Sequence, residues 1–239
     1  MSDALPPIAR NLAEVRGRIA DAAAAARRPA DAVTLVAVTK YAEPAWVEEL
    51  LRLGVRDLGE NYPQQLCERA DAITAPDPPP VRWHMIGTLQ RNKARKLLPH
   101  AALVHSVDSV KLATTLDRIA GELGFRDPAP VLLQVNVSGE ESKSGFDADS
   151  VTATAEGLAA LGHIDIRGLT TIAPATDDPA TTRPVFAALR DLRDALAART
   201  GLALSHLSMG MSGDYEIAVQ EGATLVRVGG ALYRRDESP

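Results

Sequence analysis

The sequence predicts an α/β fold, a (β/α)8 TIM barrel with an extra N-terminal helix, and three observations predict it. Eight short apolar runs rich in β-branched residues can be read along the chain, with helical stretches between them. The length of 239 residues is close to the roughly 250 typical of such barrels. An open doubly wound sheet is the runner-up, but no GxGxxG follows the first run and no glycine loop with GK[ST] occurs. No composition shift marks a boundary, so residues 1–239 are read as one barrel domain.

The elements follow in order. Ile8, Leu12, Val15 and Ile19 recur three or four residues apart and the alanine run Ala22 to Ala26 prolongs the pattern, so a helix fills the first thirty residues until Pro29 ends it. Thr34 to Lys40, TLVAVTK, is apolar on both faces, as a parallel strand covered on both sides must be. Pro44 stands where a first-turn proline belongs, Trp46, Val47, Leu50 and Leu51 make a helical stripe, and Gly54 terminates it. That completes one strand–helix unit. Further strands are expected at Arg56–Asn61, Trp83–Gly87, Leu103–Asp108, Val131–Ser138, Ile166–Ala173, His206–Ser212 and Thr224–Leu232. Helices are expected near 63–75, 90–98, 109–123, 148–160, 180–200 and 213–221. Pro76, Pro78, Pro79 and Pro80 mark a stiff surface loop before the third strand.

Composition narrows the function. With 26 basic and 31 acidic side chains the formal charge is −5, so no field over the whole surface recruits nucleic acid or an anionic membrane. An anionic ligand must be caught locally. The single cysteine, Cys67, allows no intrachain disulfide and no Cys-rich zinc site, which suits a reducing compartment. The start MSDALPPIAR lacks the basic and apolar regions of a signal peptide, and no stretch of about 18 apolar residues follows, so a soluble cytoplasmic protein with no membrane partner is expected. His84, His100, His105, His163 and His206 show no metal-ligand spacing and are read as core or surface residues, so no metal is expected. No GxSxG hydrolase setting occurs. The densest basic segment, Gln90 to Lys96, is read as the solvated face of a helix, and nucleic acid is not expected as a partner. A closed barrel with no spare apolar helix is expected to be a monomer.

In such barrels the active site lies at the carboxyl ends of the strands. Strand one ends in Lys40, strand two in Glu60 and Asn61, strand seven in Ser212, and strand eight carries Arg227 followed by Gly229 and Gly230. A lysine, an arginine, a hydroxyl and backbone amides suit a small molecule bearing both an aldehyde and a phosphate: the amine for a Schiff base, amides and serine for the phosphate, arginine against a ring nitrogen. A Schiff-base lysine needs desolvation or a nearby cation to expose its lone pair, which Val36, Val38 and Arg227 can supply if the barrel closes. Each residue also has a plainer reading: Lys40 reaching solvent, Arg227 in a core ion pair, the glycines at a strand bend, and Ser212 capping a helix that starts at Gly213. Glu60 is either an acid–base group or a salt bridge beneath the site.

The strings LVAVTK, GENYPQQ, WHMIGTLQRNK, VNVSGEESKSGF, RGLTTIAP, LSMGMSGDYEIAV and TLVRVGGALY, in this order from about Val33 to Tyr233, make the chain resemble the pyridoxal phosphate homeostasis protein family. The resemblance implies a barrel similar to the N-terminal domain of alanine racemase, of fold-type III among pyridoxal phosphate proteins. It implies pyridoxal 5′-phosphate held as an internal aldimine at Lys40, with Asn61 beside the cofactor, Arg227 facing the pyridine nitrogen, and Ser212, Gly229 and Gly230 holding the phosphate. Four positions depart from the pattern: Gly230 for a threonine or serine, Thr88 for a histidine, Thr170 for a methionine and Arg234 for a glycine.

Three functions compete: reversible carriage of pyridoxal phosphate, with transient delivery to apoenzymes that use it; amino-acid racemisation; and a scaffold that binds no cofactor. Racemisation needs a base on each face of the substrate carbon, and in the resembling racemases the second is a tyrosine of a C-terminal domain. Here seven residues follow Leu232, and neither Tyr41, Tyr62, Tyr215 nor Tyr233 has an obvious placement for that role. The carrier, with no catalytic residue assigned, is the reading the sequence favours.

Overall fold

The computed structural model describes residues 6–75, 78–140, 144–174, 176 and 178–235. Pro76 and Lys143 lie outside the described residues. The strands are β1 (Thr34–Val38), β2 (Asp57–Glu60), β3 (Arg82–Met85), β4 (Leu103–Val107), β5 (Ala129–Gln134), β6 (Ile164–Thr170), β7 (His206–Ser208) and β8 (Leu225–Val228). They close into one parallel barrel in chain order, with Val36 of β1 in register with Arg227 of β8. Between them run α2 (Pro44–Arg52), α3 (Pro63–Ala72), α4 (Ala94–Leu97), α5 (Val110–Leu123), α6 (Ala148–Ala159), α7 (Pro179–Thr200) and α8 (Tyr215–Gln220). The TIM-barrel expectation holds, and so does the extra helix before the first strand, α1 (Ile8–Ala25).

Helix α1 buries the stripe Ile8, Leu12, Val15, Ile19, Ala22 and Ala23, the face that packs on α8 and α2. It ends before Pro29 because the chain turns at Arg27, whose φ is +58°, and Arg28 then donates to the carbonyls of Val219 (2.6 Å) and Ala223 (2.8 Å).

Most buried apolar residues fill the space between sheet and helices, Ala37 of β1 among them. A second, small cluster of Val36, Leu103, Leu132 and Leu225 fills part of the barrel interior. Side chains alternate across a strand, so Val36 and Val38 face inward, and Lys40, two residues further, leaves on the same side.

All eight strands end before the runs expected for them, β5, β7 and β8 by four residues each, and two of these ends shape the site. The run His206–Ser212 leaves the strand after Ser208 because Gly210 turns at φ +92°, where a Cβ would stand 2.6 Å from that of Ala218. The run Thr224–Leu232 stops at Val228, and its end forms a short helix, α9 (Gly230–Tyr233). The Leu232 amide bonds the Gly229 carbonyl (2.9 Å), and Asn11 of α1 donates to the carbonyls of Leu232 (3.1 Å) and Arg234 (2.8 Å). Among the described residues no helix is long and apolar enough to cross a membrane.

Candidate functional site

The turn that carries Lys40 is tied down from α3. Arg69 donates to the carbonyls of Thr39 (2.8 Å) and Ala42 (2.7 Å), Gln65 donates to that of Lys40 (3.3 Å), and the Thr39 amide bonds Gly59 of β2 (2.9 Å). Arg69 itself pairs with Glu60 (2.9 Å), whose carboxylate also accepts from the Thr39 hydroxyl (2.5 Å). Glu60 is wholly buried, and burial pushes its carboxyl up despite Thr39 and Arg69. The contact with Arg69 agrees with reading Glu60 as a salt bridge beneath the site. The Lys40 ammonium stands 5.1 Å from the ring centroid of exposed Tyr41, within cation–π range.

A cavity of about 740 Å³ opens at the carboxyl end of the barrel. That size suits a small-molecule site. Its polar wall includes Lys40, Asn61, Gln90, Lys93, Gln134 and Arg227, and its apolar wall includes Val38, Ile86, Ile172 and Met211. Gly87 makes the approach of Asn61 possible, since a Cβ there would stand 2.2 Å from the Asn61 carbonyl oxygen. Lys40, Asn61 and Arg227 are thus brought together on one cavity.

Arg227 is buried, and no carboxylate among the described residues is within ion-pair distance of it, contrary to the core ion-pair reading. Nη1 donates to Ser208 Oγ (2.7 Å) and Thr170 Oγ1 (3.3 Å), and Nη2 to the Thr171 carbonyl (2.9 Å). Burial pushes the guanidinium down to about 10, partly offset by the field of Asp214, so it stays protonated at neutral pH. Thr170, one of the four departures, is therefore an acceptor for this arginine.

Ser212, Gly229 and Gly230 gather beside the cavity. Ser212 does not cap a helix at Gly213: α8 begins at Tyr215, and it is Asp214 that accepts from the Met211 amide (2.6 Å). Instead, the Ser212 hydroxyl accepts from the amides of Gly229 and Ala231, each at 3.3 Å, and so holds the first turn of α9. Gly229 needs its missing side chain, because a Cβ would press on Val38 at 3.1 Å, whereas one at Gly230 would meet only Ser212 Oγ at 3.7 Å.

Several residues at this site carried no recognised signal in the sequence. Lys93 and Gln90 line the cavity from the loop around the short 3-10 turn Arg91–Lys93, so the basic segment is not a solvated helix face throughout. Arg69 acts through backbone carbonyls, which leaves no residue pattern. His84 and His105 are buried in the barrel and bonded to each other (2.9 Å); their inward alternation on β3 and β4 was the available clue. Arg234 lies outside the cavity, pairing with Glu14 of α1 (3.0 Å). Among the described residues no cluster of three or more His, Cys, Asp or Glu is arranged to hold a metal ion.

Fold and site together define a barrel of the alanine racemase N-terminal kind, and the family model described as "Alanine racemase, N-terminal domain" matches residues 11–236. Alanine racemase from Clostridium difficile 630 shares the fold, with a TM-score of 0.72 at 20% identity over 97% of this chain and 60% of that one. Closer similarity lies elsewhere. A pyridoxal phosphate homeostasis protein of Pseudomonas aeruginosa is 44% identical over 229 residues, 95% of this chain and 94% of the relative. The structure of PipY from Synechococcus elongatus PCC7942 with PLP bound matches at a TM-score of 0.79 and 40% identity, over 90% of this chain and 100% of that chain. The chain belongs to the pyridoxal phosphate homeostasis protein family.

Proposed function

We propose that this protein holds pyridoxal 5′-phosphate reversibly in the cavity at the carboxyl end of its barrel, and serves the homeostasis of that cofactor rather than a turnover of its own. The observation that carries the reading is the convergence of Lys40, Asn61 and buried Arg227 on one cavity of about 740 Å³, with the Ser212, Gly229 and Gly230 turn beside it. Relatives named for pyridoxal phosphate homeostasis and a similar structure with PLP bound support it.

Pyridoxal phosphate supplies an aldehyde, a ring nitrogen and a phosphate. The donor set fits all three. Lys40 would hold the aldehyde end through its amine, and the aldehyde would supply reversible carbonyl chemistry there, with water taken up again on release. Arg227 offers N–H to the ring nitrogen and keeps its own proton, which leaves the ring a weak electron sink. The hydroxyl of Ser212 and the amide of Gly230 would take the phosphate, with Asn61 alongside, and the Gly229 amide would turn to it from Ser212 Oγ, which it meets at 3.3 Å.

Racemisation is the second reading. It requires a base opposite Lys40, and of the tyrosines only Tyr62 lines the cavity, with about half of its surface (53%) exposed. Tyr215 and Tyr233 are turned into the protein, and burial raises both phenols. A cytoplasmic monomer that hands its ligand to apoenzymes completes the proposal. The test is retention of pyridoxal phosphate after desalting by wild type and Lys40→Ala, with amino-acid racemase and lyase assays in parallel. Retention that depends on Lys40, with no turnover above the alanine variant, is expected; steady turnover by wild type alone refutes the carrier reading.

A further inference from the structure

A single file of buried polar side chains runs through the barrel interior from Arg227 to the opposite mouth. Arg227 Nη1 meets Ser208 Oγ at 2.7 Å, Ser208 Oγ meets His105 Nδ1 at 2.8 Å, His105 Nε2 meets His84 Nδ1 at 2.9 Å, and His84 Nε2 meets Asp57 Oδ1 at 2.9 Å. Asp57 opens β2 at the amino end of the barrel, where Arg82 donates to it. All five members of the file are less than a tenth exposed.

Donor chemistry leaves this file one arrangement in which both imidazoles are neutral. Arginine has no acceptor, so Ser208 Oγ accepts from it; ionised Asp57 has no donor, so His84 Nε2 carries a proton. If both imidazoles are neutral, His84 Nδ1 accepts from His105 Nε2–H, and His105 Nδ1 accepts the Ser208 hydroxyl proton. Every bond then points from Arg227 toward Asp57, and no proton on the file is idle. The alternatives need one more proton: a cationic His84 donates to His105, which then donates to Ser208, or a cationic His105 donates to both, and either leaves the serine proton without an acceptor on the file.

We propose that Ser208, His105, His84 and Asp57 form a one-way hydrogen-bond file that positions Arg227 for the ligand's ring nitrogen, with both histidines neutral and protonated at Nε2. It rests on the assignment of Arg227 to the ring nitrogen made above. The file gives the buried guanidinium, which has no carboxylate in contact, a polarised connection to Asp57 at the far mouth. It also commits Nη1 to Ser208, while Thr171 takes one N–H of Nη2. Three of its five N–H groups go to protein acceptors, and the guanidinium lines the cavity. Burial, with Arg227 and the neighbouring histidines adding to it, holds His105 well below its ordinary value, in keeping with a neutral ring. These four residues act through Arg227 and are positioning residues.

Two experiments test the file. The first needs no ligand: nitrogen-15 NMR of histidine-labelled protein near neutral pH reports the protonation of each ring nitrogen. The expected result is His84 and His105 both neutral with the proton on Nε2; a doubly protonated His84, or the Nδ1 proton on His105, overturns the file. The second measures pyridoxal phosphate affinity and the visible spectrum of the bound form for His105→Leu, His105→Gln, Arg227→Gln and the double variant His105→Leu/Arg227→Gln. Leucine breaks the file and is expected to weaken binding about tenfold and move the absorption band. Glutamine can accept from Ser208 and donate to His84, so it is expected to recover most of the loss. The double variant is expected to bind no more weakly than Arg227→Gln, because the effect passes through that arginine. If Arg227→Gln weakens binding while His105→Leu does not, or glutamine fails to rescue, the file is refuted and the ring-nitrogen assignment stands. If Arg227→Gln itself changes nothing, the assignment beneath the file is refuted instead.

Discussion

Replacing Gly230 by serine is expected to tighten pyridoxal phosphate binding by about tenfold to a hundredfold. Gly230 opens α9 outside the left-handed region of φ, and a Cβ there would meet only Ser212 Oγ at an ordinary 3.7 Å. The side chain therefore fits without moving its neighbours. Its hydroxyl adds one donor toward a phosphate held by this turn, and a hydrogen bond to a charged group contributes about 1.5–3 kcal/mol. At about 1.4 kcal/mol per factor of ten, that is roughly one to two decades of affinity. Gly230→Ala is the control, because it supplies the Cβ and the smaller unfolded-state entropy, about 0.4–1 kcal/mol of stability, without the hydroxyl. The assay is absorbance titration of all three proteins with pyridoxal phosphate at one pH. Serine and alanine variants of equal affinity would falsify the assignment of the phosphate to this turn.

The other expectations concern Arg227, Gly87 and His105. Arg227→Gln is expected to weaken retention about tenfold by loosening the contact to the ring nitrogen, and an unchanged titration removes Arg227 from the site. Gly87→Ala places a Cβ 2.2 Å from the Asn61 carbonyl oxygen, so a loss of about 2 kcal/mol or more in urea unfolding is expected, together with weaker binding through displaced Asn61. Wild-type stability against that substitution would show that the two loops are not in contact. His105 is held well below its ordinary 6.5, so below pH 6.5 the unfolded chain takes up a proton that the folded one refuses. Stability is then full above 6.5 and falls on acidification toward the folded value, by up to about 1.4 kcal/mol per pH unit from this group. His206, also lowered by burial, acts in the same sense. Urea unfolding across that range is expected to slope this way and to flatten in His105→Gln; stability that rises on acidification through the range contradicts it.

Much of the barrel was legible because its signals are local. The run TLVAVTK and the stripe Trp46, Val47, Leu50 and Leu51 each report burial through their pattern, and the strand order follows once eight such units close on themselves. The ends of β7 and β8 were not legible, since Gly210 is set by its approach to Ala218, and α9 by Ser212 and by Asn11 of a distant helix. Lys40, Asn61 and Arg227 could be picked out because each lies within two residues of a strand's carboxyl end, and strand ends converge in a closed barrel. Arg69 and Lys93 could not, because one works through backbone carbonyls and the other from a 3-10 turn that carries no hydrophobic pattern. His105 and Ser208 lie 103 residues apart in sequence, and only the closed barrel brings them within 2.8 Å.

The most direct test of the central claim is borohydride reduction of the purified protein after loading with pyridoxal phosphate and removal of the excess, followed by peptide mass spectrometry. The account predicts an imine absorption band that reduction abolishes, with the phosphopyridoxyl group fixed on Lys40 and no such band in Lys40→Ala. Label on another lysine, or a band that survives in the alanine variant, contradicts it.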